Sequence, residues 1–405
     1  MEVESVHWML GRLVVTLLVL WPNSVLGQVT GRFYIEKDTF ALGEPVFLYF
    51  EANNSGRDTQ NLHKADPYSF CAGYQIHVSS DLANNANNLS CAPMGFGGSC
   101  LSSDAPLEPG KKVTERILLN YEHKIDSAGQ YEIEAGRSLS YAPGSEDFFS
   151  TSTRKNSLEV HAHLIFRVDE NAEWRETDLQ SWVELLHSTD SAKRREAGRT
   201  LASVAPKSLE DVLLGFADNP ELRQWAPIAF HRLNTSRSLA GLARILDTTE
   251  PGTYEHMKAA DFLAESGDPV WFPELLGVAE KNSKVGNYVY DAAESGGDQI
   301  LPTLLSMLQS PDAEFTHPIA VSAFGYTGSR SAVPILLGLL MSSDTGEAQR
   351  ALYGLRQLTH RDVGGDRWFD NPQSQYRRWV NWWNREGETA PIYKATECGE
   401  VKPLR

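Results

Sequence analysis

Positive charge is scarce in this chain. Its 37 Lys and Arg are outnumbered by 53 Asp and Glu, giving a formal charge of -16, and no Lys/Arg-rich run offsets that balance locally. Such a surface repels phosphate backbones and anionic lipid, so no nucleic-acid partner is expected. Cysteine is scarcer still, with 4 in 405 residues. None belongs to a C-x-x-C pair or has a His at ligand spacing, which argues against a structural zinc site. Catalytic signatures are missing as well: the chain has no G-x-S-x-G, H-E-x-x-H, G-x-x-x-x-G-K-[ST] or EF-hand loop. Ser152, Thr153, Arg154 and Lys155 spell S-x-x-K, but they lie in a polar stretch with no S-D-N or K-T-G companion, and the match is read as chance.

Long apolar runs are confined to the beginning. Arg12 precedes the run Leu13 to Trp21, Pro22 ends it, and small residues appear near Gly27, the pattern of a secretory signal over residues 1–27. The run is short for a bilayer span. Glu2 and Glu4 are unusual in a signal and raise Met9 as an alternative start, while a buried N-terminal strand or helix is the structural alternative. No Cys sits at the cleavage point, so no lipid anchor is expected, and a periplasmic or secreted location is. Export permits disulfides. Cys91 with Cys100 would close the loop PMGFGGS, leaving Cys71 free or tied to Cys398; the spacing does not settle the pairing.

The length predicts more than one domain. Between residues 28 and 168, PVFLYFEA (45–52), YQIHVSS (74–80), KVTERILL (112–119), QYEIEA (130–135) and SLEVHAHLIFRV (157–168) carry apolar side chains at every second position, with turn residues between them. Six or so half-buried strands predict two packed antiparallel sheets. The stretches LGEPVFLYFEANNSG (42–56), LEPGKKVTERILL (107–119) and GQYEIEA (129–135) resemble the immunoglobulin-like domains of bacterial exported proteins, without the Cys, Trp, Cys arrangement of antibody domains. That resemblance implies a β-sandwich and little about function. The Asn-rich insertion from Asp81 to Asp104 has no counterpart in it.

A charged stretch at 169–177 then marks a linker, beyond which the apolar period changes to about 3.6. Leu301, Leu304, Leu305 and Leu308 recur at helical spacing, as do Val333, Leu336, Leu337 and Leu340. Gly267 precedes Pro273, Gly296 precedes Pro302 and Gly328 precedes Pro334 by the same interval. Gly ends a helix in the left-handed conformation and Pro suits the first turn of the next; Asn234 takes the glycine place in an earlier copy. Starts near Leu209, Leu239, Phe272, Leu301 and Val333 make a repeat, with a further unit near Asp178. The pattern resembles HEAT repeats of the short type found in phycobilin-lyase-like proteins and implies an α-solenoid of about six helical pairs over 178–360. Residues 361–405 form a cap and tail, whose Trp-rich helix is expected to bury Tyr376, Trp379, Val380 and Trp383 and to leave Trp382 exposed as an element of an alternative aromatic platform.

Relatives in that repeat class include di-iron hydroxylases that use His-Glu pairs and bilin lyases; this chain has no His-Glu dipeptide and matches only the repeat scaffold, so neither activity carries over. No cofactor and no metal ligand set is expected. His161 and His163 share one side of a strand, but the sequence offers no third ligand. His256 and His317 occupy equivalent repeat positions too far apart for one ion. What remains is surface: Trp225, Asp261, Tyr290, Asp291 and Arg356 are the expected inward positions for a protein or peptide partner in the cell envelope. The expectation is a non-enzymatic exported binding protein. A metal-dependent or lyase-like factor, or a polysaccharide binder using the 81–104 loop, are the alternatives.

Overall fold

A computed structural model describes residues 29–65, 72–80, 102–144, 155–172, 174, 176–281, 287–309, 313–363, 372–387, 389–394 and 402–403. The expected signal segment, all four cysteines and nearly all of the Asn-rich insertion lie outside them.

The first part is built from strands. In chain order these are β1 (Val29–Ile35), β2 (Thr39–Ala41), β3 (Phe47–Asn54), β4 (Gln60–Ala65), β5 (Tyr74–Ser80), β6 (Ser102–Leu107) and β7 (Lys112–Leu118), then the short helix α1 (Leu119–Glu122), then β8 (Gly129–Pro143) and β9 (Asn156–Asp169). Strands β1, β3 and β7 form one antiparallel sheet. The other runs β2-β9-β8-β4-β6, with β5 also paired to β8. Only the β2–β9 pairing in it is parallel, with Thr39 opposite Arg167.

Alternation explains why the sheets close on each other. Leu48, Phe50 and Ala52 turn inward from β3, and Ile133, Ala135 and Leu139 turn inward from β8, all in one apolar cluster. Phe33 and Phe50 lie opposite in register with ring centroids 5.0 Å apart; each such ring, once buried, contributes about 2–3 kcal/mol. Across the two sheets, Arg137 of β8 reaches Glu115 of β7 through bonds of 2.7 and 3.2 Å. Tyr74 of β5 donates to the same carboxylate at 2.5 Å. The guanidinium is sandwiched against the Phe50 and Tyr74 rings.

From Glu176 onward the described residues are mainly helical: α2 (Glu176–Leu185), α3 (Ser191–Val204), α4 (Glu210–Leu214), α5 (Ala226–Leu233), α6 (Ser236–Thr248), α7 (Tyr254–Ser266), α8 (Phe272–Lys281), α9 (Asn287–Gly296), α10 (Leu301–Leu308), α11 (Ala313–Phe324), α12 (Ala332–Leu339), α13 (Thr345–Thr359) and α14 (Pro372–Glu386), followed by the small pair β10 (Tyr393–Lys394) and β11 (Lys402–Pro403). Four of their starts are capped by side chains: Asp190, Thr235, Thr253 and Asp344 accept first-turn backbone N–H groups, satisfying donors that the helix itself cannot. Helices α3, α5, α7, α9, α11 and α13 touch in series, and the intervening helices pack against them. A single cluster runs from Leu186 through Phe230, Phe272, Phe324 and Leu355 to Trp379 and Ile392. No helix among the described residues is long and apolar enough to cross a membrane.

The backbone turns left-handed at Ala205, Asn234, Gly267, Gly297, Gly328 and His360, at near-equal intervals. Gly296, expected in that role, is right-handed at φ -74; the helix runs one residue further and Gly297 makes the turn. Ahead of Gly328, Ala320, Val321, Phe324 and Gly325 are all buried. Gly325 lies so close to Gly354 of α13 that a Cβ there would stand 2.5 Å from the Gly354 Cα.

Two aromatic expectations are corrected. Trp382 is buried rather than exposed. It packs edge-on against Trp379 and donates to Glu386 at 2.9 Å, and both rings join the same apolar cluster as Ala390 and Ile392 beyond the helix. Trp225, expected on the partner-binding face, is only 6% exposed. Tyr121 of α1 meets it edge-on at 6.0 Å and the Arg199 guanidinium lies over its ring, so it belongs to the seam between the sheets and the helices.

Candidate functional site

Of the other four expected positions, Asp261 of α7 and Asp291 of α9 both act on the Tyr288 hydroxyl, Tyr290 and Asp291 both act on Tyr326 just past α11, and Arg356 lies on α13. In α9 the inward residues Val289, Ala292 and Ala293 pack on neighbouring helices, which leaves Tyr290 half-buried and Asp291 exposed on the opposite side. Tyr290 stacks on Tyr326, just past α11, with centroids 4.8 Å apart and ring planes at 12°. Gln357 and Tyr353 of α13 both lie near enough to act on the Tyr326 hydroxyl. Tyr353 is 63% exposed, an unusual position for a large ring. On the other flank, Asp261 of α7 pairs with Lys258 at 3.0 Å, while Arg356 of α13 pairs with Asp362 at 2.8 Å.

Phenols and carboxylates interleave along this face, and the electrostatics register it. The Tyr288 hydroxyl is pushed up to about 12, first by burial and then by the Asp261 and Asp291 charges. Tyr326 is also pushed up, by burial and then by its Tyr353 and Tyr290 neighbours. The named cations, Lys258 and Arg356, are each occupied by a carboxylate. Chemically, the face can receive basic groups through Asp291 and flat or aliphatic groups on the tyrosines. The sequence did not single out Tyr326 or Tyr353. Both lie outside the strict apolar register, and only the stacking of successive helices brings them beside Tyr290.

A second patch lies on the solvent side of the six-stranded sheet. His161 and His163 are exposed there, as alternation along β9 predicts. The structure adds what the sequence could not: His77 of β5 and Glu134 of β8 share their hollow, an open depression of about 640 Å³. As placed, no three His, Cys, Asp or Glu side chains among the described residues converge to hold an ion. His256 is buried beside Thr249, at 3.4 Å, and His317 of α11 is bonded to Glu347 of α13, so each has a local structural partner.

No family model matches the chain, and no curated protein matches it. Among solved structures it is similar to Salmonella alpha-2-macroglobulin reacted with methylamine, at 12% identity and TM-score 0.19 over 93% of this chain and 28% of that one. The native conformation of Escherichia coli alpha-2-macroglobulin matches at 11% identity and TM-score 0.18, again over 93% and 28%. The elastase-activated Escherichia coli form gives 11% and 0.18 over 93% and 39%. The chain thus spans well under half of each, and likenesses this weak carry no argument about its fold or activity.

Proposed function

We propose that the chain is a non-enzymatic exported binding protein, in which an immunoglobulin-like β-sandwich carries a HEAT-type α-solenoid whose α7, α9, α11 and α13 face holds a protein or peptide. The reading rests most on the row Asp261, Tyr290, Asp291, Tyr326 and Tyr353. Tyrosines supply large contact area at low rotamer cost, and carboxylates beside them favour a partner that presents Lys or Arg. Helices in series, each pair closed by a left-handed residue, support the solenoid reading, and two sheets on one apolar cluster support the sandwich. A signal over 1–27, a periplasmic or secreted location and a Cys91–Cys100 bridge belong to the same proposal.

A photo-crosslinking residue tests it when placed at Tyr353 or Asp291 and, as control, at Glu274 on an intervening helix. Exposure in the native cell envelope is expected to give one discrete adduct from the first two positions and none from the third. Equal adducts from all three, or adducts only from Glu274, would overturn the assignment of the face.

A further inference from the structure

We propose that the solvent side of the six-stranded sheet is a site for a zinc-like divalent transition metal, with His161 and His163 of β9, Glu134 of β8 and His77 of β5 as its donors. The site is independent of the peptide-binding reading, since it lies on other elements and uses none of the same residues.

Register supplies the first argument. His77 is directly opposite Glu134, and Glu134 is directly opposite His163, so three donors stand in one row across three adjacent strands. The next row on the same side is Gln75, Gly136 and His161. Adjacent strands lie about 4.7–4.9 Å apart and alternate residues about 6.6–6.8 Å apart along a strand. All four donors therefore fall in a patch roughly 10 Å by 7 Å, small enough for imidazoles leaning in from β5 and β9 to meet above β8.

The middle strand leaves room for that meeting. Gly136 has no side chain, and a Cβ built there would stand 3.2 Å from Nδ1 of His161. The His161 ring already leans off its own strand and over β8. A larger residue at 136 would fill the floor of the hollow and push that ring away.

Donor chemistry supplies the last argument. Imidazole and carboxylate together suit Zn²⁺, Cu²⁺ and Ni²⁺ rather than Ca²⁺ or Mg²⁺. Nε2 of His163 now lies 3.3 Å from Glu132, an exposed contact that ligation would replace. Convergence requires the rings to turn. His163 is about half exposed, as is Glu132, and exposed side chains change rotamer on a picosecond to nanosecond scale without disturbing the sheet.

The test uses full-length protein without an affinity tag, treated with chelator and titrated with Zn²⁺ by calorimetry. A parallel Co²⁺ titration reads the visible bands of a low-coordinate, nitrogen-ligated ion. One equivalent is expected to bind with micromolar or tighter affinity. H161A/H163A is expected to lose about 100-fold or more, with E134Q and H77A each losing about 10-fold, while circular dichroism and thermal midpoint stay unchanged. G136V is expected to weaken binding with every donor intact. Absence of stoichiometric Zn²⁺ uptake, or uptake undiminished in H161A/H163A, would overturn the proposal.

Discussion

Arg137 and Glu115 show what single residues contribute here. Both side chains are almost completely buried, one from each sheet, and their mutual charge is the reason either can be there. Arg137→Met leaves the carboxylate unpaired in the core, and a loss of about 3–5 kcal/mol is expected in urea unfolding. Joint replacement of both by apolar residues of similar size is expected to cost much less. His123 gives a prediction of opposite character. Its ring is pushed down to about 4 by burial, then by the charges of His77 and Arg232, and its Nε2 is buried without a hydrogen-bond partner among the described residues. An unfolded histidine takes its proton near 6.5, so between about pH 6.5 and 4 the unfolded chain binds a proton that the folded one refuses. Stability is therefore expected to fall with acidification through that window, by up to about 3 kcal/mol from this ring. The neighbouring Glu122 carboxyl, pushed up by burial, works the other way. His123→Gln is expected to flatten the pH dependence measured by chemical denaturation.

At the scale of elements, the recurring left-handed turns predict their own improvement. Ala205 holds φ 39, where a side chain costs about 1–2 kcal/mol, partly offset by the looser unfolded state of a glycine. Ala205→Gly is thus expected to stabilise the fold by roughly 0.5–1 kcal/mol. Gly325→Ala is expected to do the reverse, by about 1–3 kcal/mol, because the added methyl meets the backbone of α13 rather than a side chain that can turn aside. What could be read beforehand follows from the same physics. Strands β3, β5, β7, β8 and β9 announced themselves because one face of each is apolar. Strands β1, β4 and β6 did not: β1 is interrupted by Gly31, while QNLHKA and SSDAPL of the others are mostly polar. The Gly–Pro punctuation made α8, α10 and α12 legible, whereas Ala205 and His360 occupy left-handed positions that nothing in their identity signals. Of the tyrosine face, Tyr290 and Asp291 were found by avoiding the buried register. Their neighbours Tyr326 and Tyr353 required knowing how helices stack, just as His77 and Glu134 required strand register.

For the whole molecule, the decisive contacts are those between the sheets and the first helices. Phe47 of β3 stacks on Trp182 of α2 with centroids 6.0 Å apart, Arg116 lies over the Phe47 ring and pairs with Glu196 of α3, and Arg232 of α5 donates to the Asn120 carbonyl at 3.2 Å. Trp225 sits in this seam, which is why a reading based on the helical repeat alone placed it at the surface: the element that covers it lies about a hundred residues earlier in the chain. The two parts are expected to melt as one calorimetric transition. Trp225→Ala, which removes the ring that Tyr121 and Arg199 grip, is expected to split it into two; a single undivided transition in the variant would show that the seam does not couple them.

Those covers also decide how the molecule behaves in a crowd. Phe47 and Tyr121 seat on the leading helices, and Trp379, Trp382, Ala390 and Ile392 are all buried at the far extremity, so the described row of helices carries a cover where it begins and where it ends. Covers of this kind withhold apolar surface from another copy and so work against head-to-tail fibre growth. In the proposed solenoid an internal pair could be duplicated or lost with those covers left in place, changing the reach of the molecule without making it sticky.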